Sequence, residues 1–146
     1  MAVFRKGVFF VVYCKDKGKV KFLILKRKLH WIGWEFPKGG IEKNENEKIA
    51  VFRELKEETG LKARKLIDFH IKGKFDYHKE FSDRQGIMGM TWHLYAVDVF
   101  SEKGKVKIDK REHNGYKWLD FEKAYKTLTW ANQKRCLKIV EKVVEG

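Results

Sequence analysis

The stretch from Asn44 to Gly60 constrains this chain more than any other. Asn44, with Glu47 three residues on, has the N-x-x-E pattern of a helix-starting capping box. Lys48 to Thr59 holds no glycine or proline, and Gly60 stands where a helix needs a left-handed cap. The spacing predicts a helix over roughly residues 45–59. At about 100° per residue, Glu54, Glu57 and Glu58 fall on one face of it. Carboxylates at i, i+3 and i+4 repel one another by a few tenths of a kcal/mol per pair. A solvated helix usually intersperses lysines, as Lys43, Lys48 and Lys56 do nearby. Three acids on one side suit a hard divalent cation with oxygen ligands, Mg²⁺ or Mn²⁺. The plainer reading of the helix alone is an ordinary acidic face.

The flanks favour the cation. Upstream lies Phe36-Pro37-Lys38-Gly39-Gly40, where Gly39 and Gly40 permit a tight loop whose backbone approaches a metal or phosphate. Arg53 can fork onto a neighbouring carboxylate and hold it. Glu45 falls on the opposite helix face, where an acid suits the helix N-terminus. Elsewhere, Val8–Tyr13, Phe22–Leu25, Lys65–Ile71, Phe75–Phe81, Met90–Phe100 and Gly115–Leu119 read as strands. Lys15 to Lys19 reads as a hairpin turn, and Phe121–Leu128 and Ala131–Val144 as helices. Strands, a helix, more strands and more helices predict an α+β domain, an α/β/α sandwich around a mixed sheet.

With 146 residues, 43% hydrophobic and 36% charged, the chain is expected to form one domain over 1–146 and is too apolar to be disordered. No run of about 18 apolar residues is present, so no membrane span is expected, and the N-terminus lacks a secretory pattern. Cys14 and Cys136 match no ligand spacing, and a reduced, cytoplasmic protein with buried thiols is the default expectation. The formal net charge of +13 points to an anionic partner, a nucleotide, a nucleic acid or another polyphosphate. A lysine-rich surface serving solubility would give the same figure.

Gly39 to Leu61 resembles the Nudix box, G-x5-E-x7-R-E-U-x-E-E-x-G-U with U bulky and apolar. Gly39, Glu45, Arg53-Glu54-Leu55, Glu57-Glu58 and Gly60-Leu61 occupy every specified position. The resemblance implies a Nudix hydrolase that cleaves a nucleoside diphosphate linked to another group, with Mg²⁺ or Mn²⁺ as cofactor. By the same resemblance Glu54, Glu57 and Glu58 would be metal ligands, and Lys38 would offer its backbone carbonyl. Arg53 would orient the carboxylates, and Glu45 would be structural support.

Residues outside the box bear on the substrate. Trp34-Glu35-Phe36-Pro37-Lys38-Gly39 looks like the W-x-F-P-K-G run of diadenosine tetraphosphate hydrolases. Bacterial RNA 5′-pyrophosphohydrolases usually carry Gln where this chain has Lys38. Tyr77, 16 residues past Leu61, lies where the dinucleoside polyphosphate subgroup has a tyrosine that could stack on a purine. Glu112 to Leu119 resembles the E-H-x-x-Y-x-W-L stretch of the same subgroup, whose Glu is an extra carboxylate near the metals. Beside Glu112, His113 is expected at the surface, as loop histidines usually are. Lys38 is the basic residue best placed for phosphates, and Lys26, Arg27, Lys28, His30 and Lys79 are further candidates. The resemblance implies an asymmetrical bis(5′-nucleosyl)-tetraphosphatase, with Lys38, Gly39, Gly40 and Tyr77 on the substrate and Arg53, Glu54, Glu57, Glu58 and Glu112 in catalysis. An RNA 5′-end pyrophosphohydrolase or decapping enzyme is the alternative, and a non-catalytic nucleotide- or RNA-binding Nudix module a further one.

Overall fold

The structure, a computed structural model, describes residues 3–77, 83, 85–100 and 105–145. Its elements run β1 (Val3–Asp16), β2 (Lys19–Arg27), β3 (Gly33–Glu35), β4 (Lys38–Gly40), α1 (Glu47–Thr59), β5 (Ala63–Asp76), β6 (Ile87–Val99), β7 (His113–Leu119), α2 (Phe121–Thr127) and α3 (Ala131–Val144).

Among the described residues the strands form one mixed sheet with a central path β3-β2-β1-β6-β5. β4 adds to the first half of β1, and β7 adds to β2. β1 and β6 run parallel from Phe4 opposite Gly89 to Tyr13 opposite Asp98, while the other pairings are antiparallel. The continuous apolar run in β1 follows from its position, because a central strand covered on both faces has no solvent side to keep polar. Val8, Phe10 and Val12 pack with Ala50, Val51 and Leu55 of α1. Phe9, Val11 and Tyr13 pack with Ala124, Leu137 and Val140 of α2 and α3 on the other face. This is the α+β sandwich expected. Cys14 and Cys136 are both buried, and no helix among the described residues is long and apolar enough to cross a membrane.

Two local expectations shift. The helix starts at Glu47, not 45, because Asn46 rather than Asn44 caps it: its side chain accepts from the Ile49 N–H at 2.9 Å. Asn44 instead turns the preceding loop with a φ of 67°. The far end is as expected, with Gly60 at φ 72° donating to the Lys56 carbonyl. The strands expected at Lys65–Ile71 and from Phe75 are one strand, β5, whose register against β6 slips between Asp68 and Lys72. His70, at φ 55°, sits in that irregularity. Phe81, the expected end of the second strand, lies outside the described residues.

Candidate active site

The loop from β4 into α1 wraps around one guanidinium. Arg53 donates through Nε (2.7 Å) and Nη2 (2.8 Å) to the two oxygens of Glu45, a two-pronged pair. Nη2 also donates to the Gly40 carbonyl at 2.8 Å, and Nη1 reaches Glu54 at 2.8 Å and Glu57 at 3.2 Å. Arg53 thereby ties the β4 strand end, the loop acid and two acids of the helix to one another, and its basicity is raised, chiefly by Glu45. The same pairing holds the Glu45 carboxyl down at about 2. Arg53 thus links Glu45 to Glu54 and Glu57 through one guanidinium. β4 lies so close to the helix that a Cβ on Gly39 would overlap the Glu54 carboxyl, which explains the glycine.

The acids beyond Arg53 are under strain. Burial pushes the Glu54 carboxyl up to about 7 against the pull of Arg53, with Glu57 and Glu112 adding repulsion. Glu58 is 2% exposed. Burial raises its carboxyl well above the usual carboxylate range, and Glu54, Glu112 and Glu35 push it further. Its Oε2 is buried without a hydrogen-bond partner. Glu112 joins from the turn before β7. Asp109 accepts from the backbone N–H of Glu112 and of His113, and the Glu112 carbonyl accepts from Lys28 and Leu29 of the turn after β2. A carboxylate oxygen from each of Glu58 and Glu112 and a ring nitrogen of His113 all lie within 4.8 Å of one another. The structure thus draws Glu54, Glu58 and Glu112 together, while Glu57 sits at the exposed rim, joined to the others through Arg53.

Beneath this cluster lies a second ionic group that sequence reasoning missed. Glu35, 0% exposed, accepts from Lys38 Nζ at 2.8 Å, His113 Nε2 at 2.8 Å and Arg27 Nη1 at 3.3 Å. Burial alone would raise this carboxyl; Lys38, the His113 hydrogen bond and Arg27 outweigh it and hold it at about 2. His113 is wholly buried, contrary to the surface position expected of it. It is the first residue of β7 and pairs with Arg27 across a register slip, and such irregularities re-aim side chains. The Lys38 ammonium, expected to meet phosphates, is instead bound to Glu35 and stands 5.4 Å over the Trp31 ring. Arg27 is a buried partner of Glu35, and His30 pairs with Asp83 at 2.9 Å. Lys79 lies outside the described residues.

Arg5 is a basic residue beside the box that the sequence did not single out. With Lys6, Gly40, Ile41, Glu42 and Glu54 it lines an open cleft of about 250 Å³. A Cβ on Gly40 would meet its guanidinium, so this glycine lets Arg5 reach the cleft. Tyr77 follows β5, its N–H donating to Met88 at 2.7 Å and its ring 5.8 Å from Phe75. In the sheet, β1 and β6 lie between β5, which Tyr77 follows, and β4.

A family model of the NUDIX domain matches residues 3–138. The chain belongs to the Nudix family. Among curated Nudix relatives, the RNA pyrophosphohydrolase of a Nitratiruptor species is 29% identical over 126 residues, 84% of this chain and 81% of that one. The RNA pyrophosphohydrolase of Hahella chejuensis is 26% identical over 120 residues, 76% of this chain and 73% of that one. Among solved structures, an Ap4A hydrolase binary complex from C. elegans superposes with a TM-score of 0.76 at 24% identity, covering 96% of this chain and 97% of that one. The E. coli dihydroneopterin triphosphate pyrophosphohydrolase gives 0.75 at 23% identity, covering 94% and 96%. At these identities the superpositions establish the shared Nudix fold, in which α1 carries the box acids.

Proposed function

We propose that this Nudix hydrolase cleaves a phosphoanhydride of a nucleoside polyphosphate with water and a divalent cation. The observation that carries the reading is the convergence of Glu54, Glu58 and Glu112, with buried, unpartnered atoms on Glu58 and His113. Such a donor set fits a hard cation, which would take up the unpaired oxygen and relieve the repulsion. Mg²⁺ or Mn²⁺ there would supply charge neutralisation on the phosphates and a more acidic water. Glu54, Glu57, Glu58 and Glu112 and the Lys38 carbonyl would hold it, with Arg53 fixing Glu54 and Glu57. Glu54 or a neighbour takes the proton as the water oxygen bonds to phosphorus and one bridging P–O bond breaks. Gly39 and Gly40 keep the backbone low against the phosphates, Arg5 meets them from the cleft, and Tyr77 stacks on a base.

Diadenosine tetraphosphate, giving ATP and AMP, is our first substrate reading. It is supported by the Trp34-to-Gly39 run with Lys38, by Tyr77 and by the Glu112-His113 pair. A second reading, triphosphorylated RNA 5′ ends, is favoured by the net charge of +13 and by the curated relatives named RNA pyrophosphohydrolases. Turnover in ¹⁸O-labelled water with Mg²⁺ separates them. Label-bearing ATP or AMP, formed faster than phosphate or pyrophosphate from RNA, supports the first; the reverse order overturns it. No turnover of either substrate leaves the binding-module alternative.

A further inference from the structure

Four carboxylates at the end of α1 would make an all-oxygen site, but the ring of His113 stands among them. One of its nitrogens lies within 4.8 Å of carboxylate oxygens of both Glu58 and Glu112. Opposite ligands of an octahedral ion with bonds of 2.0–2.1 Å lie about 4.2 Å apart, so this spacing closes on a cation with little movement. The two ring nitrogens have different partners. Nε2 is 2.8 Å from the Glu35 carboxylate, which only accepts, so Nε2 carries the hydrogen. Nδ1 is buried and has no hydrogen-bond partner. A ring fixed by a carboxylate on one nitrogen and left open on the other is the arrangement that orients metal-bound histidines. Glu35 is itself held from two further sides by Lys38 and Arg27, so the ring has little freedom to turn away.

We infer that His113 is a nitrogen ligand of the cation site through Nδ1, positioned by Glu35, and that the site therefore prefers Mn²⁺ to Mg²⁺. Both ions suit carboxylates, but Mn²⁺, at the foot of the first-row transition series, accepts an imidazole nitrogen more readily than Mg²⁺, which demands oxygen donors and keeps its water. The inference rests on the cation site proposed above, and it concerns binding before any substrate is present.

The test is pulsed electron paramagnetic resonance of Mn²⁺ on the full chain, prepared unlabelled and with ¹⁵N only in histidine. The expected result is a ¹⁴N modulation that is replaced by a ¹⁵N pattern on labelling. It is lost in His113→Gln while Mn²⁺ still binds, about 10–100-fold more weakly. Mg²⁺ affinity falls less in that variant. If His113→Gln does not fold, His93→Gln supplies the second check, since its modulation must persist. Mn²⁺ bound with no histidine coupling in the wild-type chain overturns the nitrogen ligand and leaves the cation site standing. Coupling that survives in His113→Gln, or vanishes in His93→Gln, assigns the ligand elsewhere and also overturns it. No Mn²⁺ binding at all overturns both the inference and the metal-dependent reading beneath it.

Discussion

Glu35 and Glu58 are buried alike, 0% and 2% exposed, yet their carboxyls are driven in opposite directions. Glu35 is ringed by Lys38, Arg27 and His113 and held at about 2. Glu58 is ringed by Glu54, Glu112 and Glu35 and pushed well up. Burial is common to both, so the sign of the neighbours decides. One group is complete within the protein and braces β2, β3, β4 and β7 against one another. The other holds Glu58 among acids alone, with Arg53 reaching only Glu54 of them and Arg27 lying 4.0 Å from Glu112, and a cation from outside would complete it under the proposed function. The two groups meet at His113, which bonds Glu35 through Nε2 and has a ring nitrogen within 4.8 Å of Glu58 and Glu112.

Substitutions break the comparison in predictable order. Glu35→Gln removes the charge that Lys38 and Arg27 share and leaves buried cations unpaired. It should lower unfolding stability in urea by about 3–5 kcal/mol. Glu58→Gln removes an acid whose charged form burial and its neighbours disfavour, so it should not lower the melting temperature measured in EDTA. It should nevertheless cut metal-dependent kcat by about 10²–10³-fold, as expected when a group stabilising the transition state is lost. Tyr77→Ala lies outside both groups. If its ring stacks on a base, the substitution should raise KM by an amount equivalent to about 1–3 kcal/mol, with smaller change in kcat.

The smallest effect is expected at a third ionic cluster, away from the cleft. His93 bonds Asp68 at 2.6 Å and contacts Glu47, which also accepts from the Tyr95 hydroxyl at 2.8 Å. Burial raises the Asp68 carboxyl, but the His70 N–H and His93 together outweigh it and hold it below its usual 3.8. A depressed carboxyl stabilises the fold above its unfolded value and loses that contribution as pH falls through its folded one. Melting of the wild-type chain should therefore weaken below about pH 4. Asp68→Asn should flatten that part of the profile and cost a little at neutral pH.

How much of this was legible in the sequence follows from the reach of each interaction. The helix, its Gly60 cap and the shared face of Glu54, Glu57 and Glu58 are set within a few residues of one another, so spacing alone revealed them. The start slipped because two asparagines, Asn44 and Asn46, compete within three positions, and the backbone turns at the first before the second caps. Glu35 stood unnoticed among bulky residues because its meaning comes from Arg27, eight residues away, and His113, 78 away. No local period marks such a residue. His113 was misplaced for the same reason: the turn at Asp109 and the pairing with Arg27 bury it, and only its adjacency to Glu112 hinted at the site. Arg5 leads into an apolar strand, where its reach to Gly40 depends on β4 folding back beside β1.

The central claim is that the acids around Glu58 form a cation site while those around Glu35 are structural. The most direct test is the melting temperature of the wild-type chain and Glu58→Gln, each in EDTA and in Mg²⁺ or Mn²⁺. A cation at 100 times its Kd adds about 2.7 kcal/mol, or about 5–10 °C for a chain of this size. The account predicts that rise in the wild-type chain, little of it in Glu58→Gln, and no loss for Glu58→Gln in EDTA. Glu58→Gln melting lower in EDTA and rising with the cation as the wild-type chain does would contradict it.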